Sequence, residues 1–453
     1  MPLLLPSPLE SQPAPGNRPA DKVPSLYVHV PFCARKCAYC AFYSEPFSGQ
    51  SIDRYVHALI RELELAAPGL KPVTVFFGGG TPSLLNLRQW QQVLRAMDRL
   101  GLVGAREWTV ECNPATVSLD KARLLRAFGV NRISMGVQSL DEAMLERLGR
   151  VHNRQMAFKS FDLLRQAGFD NLNLDLMFAI PGQTLQVWRQ TLAEAAAMQS
   201  EHLSCYEVIY EEDTPLFHQL RAGKIDQDED LACIMYDELV ARATDAGFRQ
   251  YEVANFARDV GLPRGESSMP SWCAATGVME CWSGGVLGSP PPHRKRPNFT
   301  SSDSGSPAPE FDLAPLHLPR FACRHNVNYW RGGSFYGLGP SATSYVQGLR
   351  TKNWADTQRY CEHLKQGRRP IASREELSPM HRAGETAAFG LRMVAGWPFD
   401  QFLRITGYDL AREWADAMRE LVQKGWATIT PDRLALTPLG LRFADAAAQL
   451  FLR

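Results

Sequence analysis

Cys33, Cys37 and Cys40 place three thiols within eight residues, with three and then two residues between them. Thiolates at such spacing can close around one face of an iron–sulfur cluster, and a cubane offers its ligands four irons. Three cysteines leave one iron without a protein ligand, and an open metal position can take a small molecule, as catalytic zinc sites do. Two plainer readings compete. A structural zinc needs a fourth ligand, and positions 42 and 43 are Phe and Tyr. A disulfide needs an oxidising compartment. Residues 1–22, with six prolines and a short Leu3-Leu4-Leu5 run, lack the basic start and long apolar core of a secretory signal.

Other strings carry chemistry less plainly. Phe76-Phe77-Gly78-Gly79-Gly80-Thr81-Pro82-Ser83 removes three successive Cβ atoms, which lets backbone amides approach a ligand or merely makes a tight turn. Glu111, Gln138, Arg150 and Asp175 are each, taken singly, ordinary polar residues. Cys323-Arg324-His325-Asn326-Val327-Asn328-Tyr329-Trp330 joins a thiol and an imidazole, both metal-ligand types, to two aromatics. Without further context the plainer reading is favoured, a polar turn with packed aromatics.

The segment Tyr27-Val28-His29-Val30-Pro31-Phe32-Cys33, continued by Cys37, Cys40 and Phe42, resembles the radical S-adenosylmethionine (SAM) superfamily, in its oxygen-independent coproporphyrinogen III oxidase-like branch. That resemblance implies a [4Fe–4S] cluster on Cys33, Cys37 and Cys40 whose open iron chelates SAM. It also implies SAM contacts from Tyr27, Gly79, Gly80, Thr81, Glu111, Gln138, Arg150, Asp175 and Ile209. The dehydrogenating oxidases of the branch carry a fourth cysteine two positions after the third, where this chain has Phe42. This departure, with the His-Asn-x-x-Tyr-Trp string, is similar to the HemW-type haem chaperones. It implies haem contacts from His325, Cys323, Tyr329 and Trp330, and haem-accepting respiratory enzymes as recipients. It is compatible with a homodimer and with peripheral membrane association. The alternative is a radical enzyme that oxidatively decarboxylates coproporphyrinogen III. No residue is assigned as catalytic.

The elements that must hold these residues follow from periodicity. Short apolar runs at 26–30, 73–77, 108–112, 132–135, 171–178 and 202–209 alternate with amphipathic stretches, such as Tyr55, Leu59, Leu63 and Ala66 within 52–66. This is the βα alternation of a parallel sheet. Six units predict an α/β fold, a partial (β/α)6 TIM-like radical SAM barrel, with chemistry at the C-terminal strand ends. Residues 258–320 hold 10 Pro, 9 Ser and 7 Gly and read as an insertion of disordered or loosely packed structure between the family's Tyr251–Ala257 segment and Cys323. Cys273 and Cys281 within it form at most a weak second metal motif. An apolar-alternating stretch with Tyr345, Val346 and Leu349 predicts a returning strand. One helix over 411–424, then strands at 426–430 and 434–437, outlines a small winged-helix-like α+β domain. The implied divisions are a flexible leader 1–22, the barrel 23–257, the insertion 258–320, a haem-motif segment 321–370 and a C-terminal domain 371–453.

Composition excludes several classes. At 453 residues the chain exceeds one ordinary core. A formal net charge of +1 and no Lys/Arg cluster on the winged segment give no basis for nucleic-acid binding. No apolar run approaches the roughly 18 to 20 residues that span a bilayer. Cys112, Cys205, Cys233 and Cys361 sit among apolar neighbours and read as small hydrophobes. An oxygen-sensitive cluster needs a reducing interior, so the expected location is cytoplasmic.

Overall fold

A computed structural model of the chain describes residues 22–46, 48–259 and 317–452. The expected leader up to residue 21, most of the insertion and the cysteines at 273 and 281 lie outside the described residues.

Six parallel strands form in order: β1 Val23–Val30, β2 Leu70–Gly79, β3 Glu107–Cys112, β4 Arg132–Gln138, β5 Leu172–Phe178 and β6 His202–Glu207. Helices between them cover the outer face, as parallel sheets require. Local signals set the helix starts. Ser48 and Ser51 form a capping box ahead of Gly49–Ala66, and Asn86 and Gln89 do the same ahead of Leu87–Arg99. Val28, Val75, Val110, Ile133 and Leu174 are fully buried in one continuous core. Beyond β6 the sheet continues antiparallel through β8 Asn255–Arg258 to β7 Phe248–Gln250.

The strand that returns to the barrel is β9 Tyr336–Leu338, which pairs parallel with β1 at Leu26, Tyr27 and Val28. The stretch marked by Tyr345 and Leu349 is instead a hairpin, Thr343–Val346 with Leu349–Asn353. Its turn residues Gln347 and Gly348 both have positive φ, the geometry of a tight two-residue turn. Asn328 lies in a helix, Arg324–Trp330.

The C-terminal domain is winged-helix-like, with a three-stranded sheet ordered Trp397–Pro398, Arg433–Leu436, Ala427–Ile429. The single helix expected over 411–424 is broken into Leu410–Glu413 and Ala415–Gln423. At the break Trp414 is buried and its indole N–H donates to the Phe451 carbonyl at 3.0 Å, so packing overrides helical continuity. Among the described residues no helix is long and apolar enough to cross a membrane.

Candidate functional site

Most of the residues singled out around the cysteines converge on the C-terminal end of the barrel. Gly79 and Gln138 are the last residues of β2 and β4, Glu111 is next to last in β3, and Asp175 lies midway along β5. Ile209 follows β6 and is 63% exposed, whereas Tyr27 points inward from β1, its ring 6.2 Å from that of Phe76. The cysteine loop leaves β1 at this same end. Backbone bonds clamp it: Ala38 N–H donates to Leu148 O and Leu216 N–H to Ala38 O, each at 3.0 Å.

The glycine run has a more specific task than presenting amides. Gly80 N–H donates to Val30 O at 2.8 Å and Thr81 N–H to Phe32 O at 2.7 Å, which straps the loop to the end of β1. A Cβ on Gly80 would lie 2.7 Å from both carbonyl oxygens. Gly79 has φ +99°, and a Cβ there would meet the His29 ring at 2.4 Å. Only glycine fits either position. The Gly79 N–H is directed at Glu111 Oε2, 3.2 Å away.

Arg150 bridges the cysteine loop and the strand ends. One guanidinium nitrogen donates to Cys37 Sγ at 3.3 Å and the other to the Gly136 carbonyl at 2.7 Å, while its Nε is buried without a partner. Thr81 Oγ1 lies 3.7 Å from Cys33 Sγ. Donors are thus already aimed at two of the three sulfurs. Burial raises the Cys40 thiol; the Phe42 N–H opposes this, and Cys37 and Cys33 add to it. Cys33, Cys37 and Cys40 are all free and half-buried. No group of three His, Cys, Asp or Glu side chains among the described residues is gathered tightly enough for a single metal ion. Thiols that each meet a different corner of a cubane stay further apart than ligands around one ion. Three free thiols on one short loop are the donor set that an iron–sulfur cluster takes.

Two carboxylates lie at this end on β3 and β5, with β4 between them. Burial pushes Glu111 up to about 8; the nearby Asp175 adds to the rise, and the Gly79 N–H and Arg132 oppose it. Burial also raises Asp175, against hydrogen bonds from Asn173 and Ser134. A pair held in this way favours a ligand that brings positive charge and hydroxyl donors. Gln138 adopts φ +65°, uncommon for a non-glycine residue and typical of functional sites.

The sign of the Glu111 effect gives a prediction. Its folded value lies above the ordinary 4.5, so the folded state binds the proton more tightly and loses stability as pH rises from about 4.5 through about 8. Glu111→Gln without ligand is expected to melt about 2–4 °C above wild type at pH 9 and to show no such gain at pH 5. Equal differences at the two pH values, measured by thermal unfolding, would sink the assignment.

The fourth constellation is elsewhere. Residues 323–330 fill the opposite, N-terminal end of the barrel, where Glu107, Arg132 and His202 are the first residues of β3, β4 and β6. His325, which the resemblance sets against haem, is enclosed in this packing. His325 is 1% exposed, stacked at 5.2 Å on Phe76, with Nδ1 2.9 Å from Thr74 Oγ1 and Nε2 2.8 Å from the Tyr329 hydroxyl. Burial, and then Arg132, lower it to about 3, so it is neutral with both ring nitrogens engaged. Cys323 is 1% exposed, and burial pushes its thiol up to about 12. Tyr329 and Trp330 pack inward with them, Tyr329 edge-on to His325 at 4.9 Å and Trp330 beside Arg392. An imidazole or thiol so enclosed offers an iron no lone pair unless the helix leaves its seat.

Sequence reading missed the residues that connect the two ends: Glu107, Arg132, Ser134, Asn173, His202 and Tyr251. Their signal was present as polar side chains at inward positions of otherwise apolar strands. Thr109, Asn173, His202 and Ser204 are all less than 4% exposed.

Comparison with known proteins agrees with this geometry. Residues 27–195 match the Radical SAM superfamily and residues 377–443 the HemN C-terminal domain. The chain is 30% identical to "Heme chaperone HemW" of Escherichia coli (strain K12), across 94% of this chain and 98% of that one. It is 28% identical to "Heme chaperone HemW" of Bacillus subtilis (strain 168), across 94% and 99%. The structure of coproporphyrinogen III oxidase (HemN) from Escherichia coli, described as a radical SAM enzyme, superimposes with a TM-score of 0.70 at 20% identity, covering 95% of this chain and 90% of that one; this likeness is one of fold. Identity at this level over nearly the whole of both chains places the protein in the HemW family of the radical SAM superfamily, whose implied cofactors are a [4Fe–4S] cluster and SAM.

Proposed function

We propose that the protein is a haem carrier built on a radical SAM barrel, acting in a reducing, cytoplasmic setting and passing haem to respiratory enzymes. Cys33, Cys37 and Cys40 hold the cluster, and Tyr27, the Gly79-Gly80-Thr81 loop, Glu111, Gln138, Arg150, Asp175 and Ile209 surround SAM. The cluster, when bound, supplies an open iron for the amino-acid end of SAM. The chain's own part is to set Arg150 between Cys37 and the strand ends, and to bring two carboxylates to the nucleoside side. A homodimer and peripheral membrane contact remain parts of this reading. The observation that carries the choice of carrier over oxidase is Phe42, 68% exposed at the position of the oxidases' fourth cysteine. Near-full-length relatives named heme chaperones support it.

The test is a hemin titration of the cluster-loaded protein, with wild type expected to give a saturable Soret shift; an unchanged spectrum defeats the carrier reading. Incubation with coproporphyrinogen III, SAM and a reductant is expected to give no protoporphyrinogen, and product would favour the oxidase instead. In the packing described, the 323–330 string supports the barrel floor. The Soret shift is therefore expected to survive in folded His325→Ala. Its loss with the fold intact would restore His325 as the ligand.

A further inference from the structure

A continuous polar chain crosses the barrel interior. Asn173 uses its amide nitrogen twice, toward Ser134 Oγ at 2.7 Å and Asp175 Oδ1 at 2.8 Å. Its Oδ1 therefore faces His202 Nδ1, 2.6 Å away. An acceptor oxygen there requires the hydrogen to sit on Nδ1, so Nε2 is a lone pair that accepts the Tyr251 hydroxyl at 2.8 Å. The Tyr251 oxygen in turn accepts the backbone N–H of Cys323 at 3.0 Å. Each donor points toward Asp175, and no member can reverse without stranding a buried hydrogen. Burial first, and then the Arg132 charge, hold His202 neutral, as this direction demands. All the linking side chains lie in the interior, where aligned hydrogen bonds polarise one another.

We infer that His202 and Tyr251 are positioning residues for Asp175: the one-way chain ties the carboxylate facing the nucleoside to the backbone of Cys323, so that seating of the 323–330 segment and nucleoside affinity are coupled. The inference rests on the reading of Asp175 as a nucleoside contact. A purely structural network would stabilise the fold without regard to what Asp175 binds. A positioning chain acts only through Asp175, and its effect vanishes when that carboxylate is removed.

The experiment is a double-mutant cycle in the Kd of S-adenosylhomocysteine, read by anaerobic calorimetry on the full-length, cluster-loaded protein. Tyr251→Phe is expected to weaken binding about 5-fold, the size of one lost hydrogen bond. In the Asp175→Asn background the same change is expected to have less than about a 2-fold effect. Equal effects in both backgrounds, or no effect in either, overturn the inference while leaving the nucleoside assignment standing. No binding by wild type overturns both. Should Tyr251→Phe fail to fold, His202→Asn replaces it, because its amide nitrogen reproduces the Nδ1 donor. It is expected to bind better than His202→Ala, and equal affinities overturn the inference.

Discussion

Cys37→Ala is expected to leave the oxygen-protected, reconstituted protein at background iron, against about four irons per chain in wild type. Cys37 sits between the other two thiols in sequence, and its sulfur is the one on which Arg150 is set. Removing it leaves two thiolates for a cube that needs three protein corners. A buried guanidinium would also lose an acceptor, although its second bond, to Gly136 O, remains to hold the loop. The fold should therefore survive the substitution. Iron and sulfide analysis with the visible charge-transfer absorption reads the outcome. Cys233→Ala, on the helix Glu229–Asp245 away from the loop, serves as the control that keeps its cluster. A full cluster in Cys37→Ala, or stoichiometric zinc in wild type, would remove the basis of the functional reading.

Glu107→Ala is expected to destabilise the protein by about 2–4 kcal/mol, because two backbone donors lose their acceptor and each buried donor left unpaired costs about 1–3 kcal/mol. Glu107 is 5% exposed and accepts the backbone N–H groups of Arg324 and His325 at 2.8 and 2.9 Å. Those are donors in the first turn of Arg324–Trp330, whose N-cap Cys323 makes no capping bond from its own side chain. A carboxylate from β3 thus caps a helix more than two hundred residues away in sequence. Arg132, 2% exposed, is buried at the same end of the barrel with its Nε unpartnered. Alanine strands both N–H groups. Glu107→Gln keeps an acceptor oxygen without the charge and should fall between the two. Chemical denaturation measures the loss, and hydrogen exchange at 323–330 should rise with it. A change below about 1 kcal/mol in Glu107→Ala would show that the helix is held by apolar packing alone.

The amino-acid sequence by itself determined the barrel and the position of its chemistry. Apolar runs of strand length alternated with helical periodicity, and parallel βα units leave no other place for loops to converge than the strand ends. The three cysteines were legible because ligand spacing on one short loop is a local property. So was Phe42, whose significance is simply that it is not a thiol. Residues 323–330 were legible as a motif but not as a place. Only the tertiary structure decided that His325 and Cys323 turn inward to meet Thr74 and Glu107, because these partners come from strands far away in the chain. The same holds for the chain from Asn173 through His202 to Tyr251. A strand's pattern reveals which side chains alternate, not which of them will face one another once the sheet has curled. The break at Trp414 has a like cause, since a helix propensity worth a few tenths of a kcal/mol per residue yields to burial of an indole worth several times more.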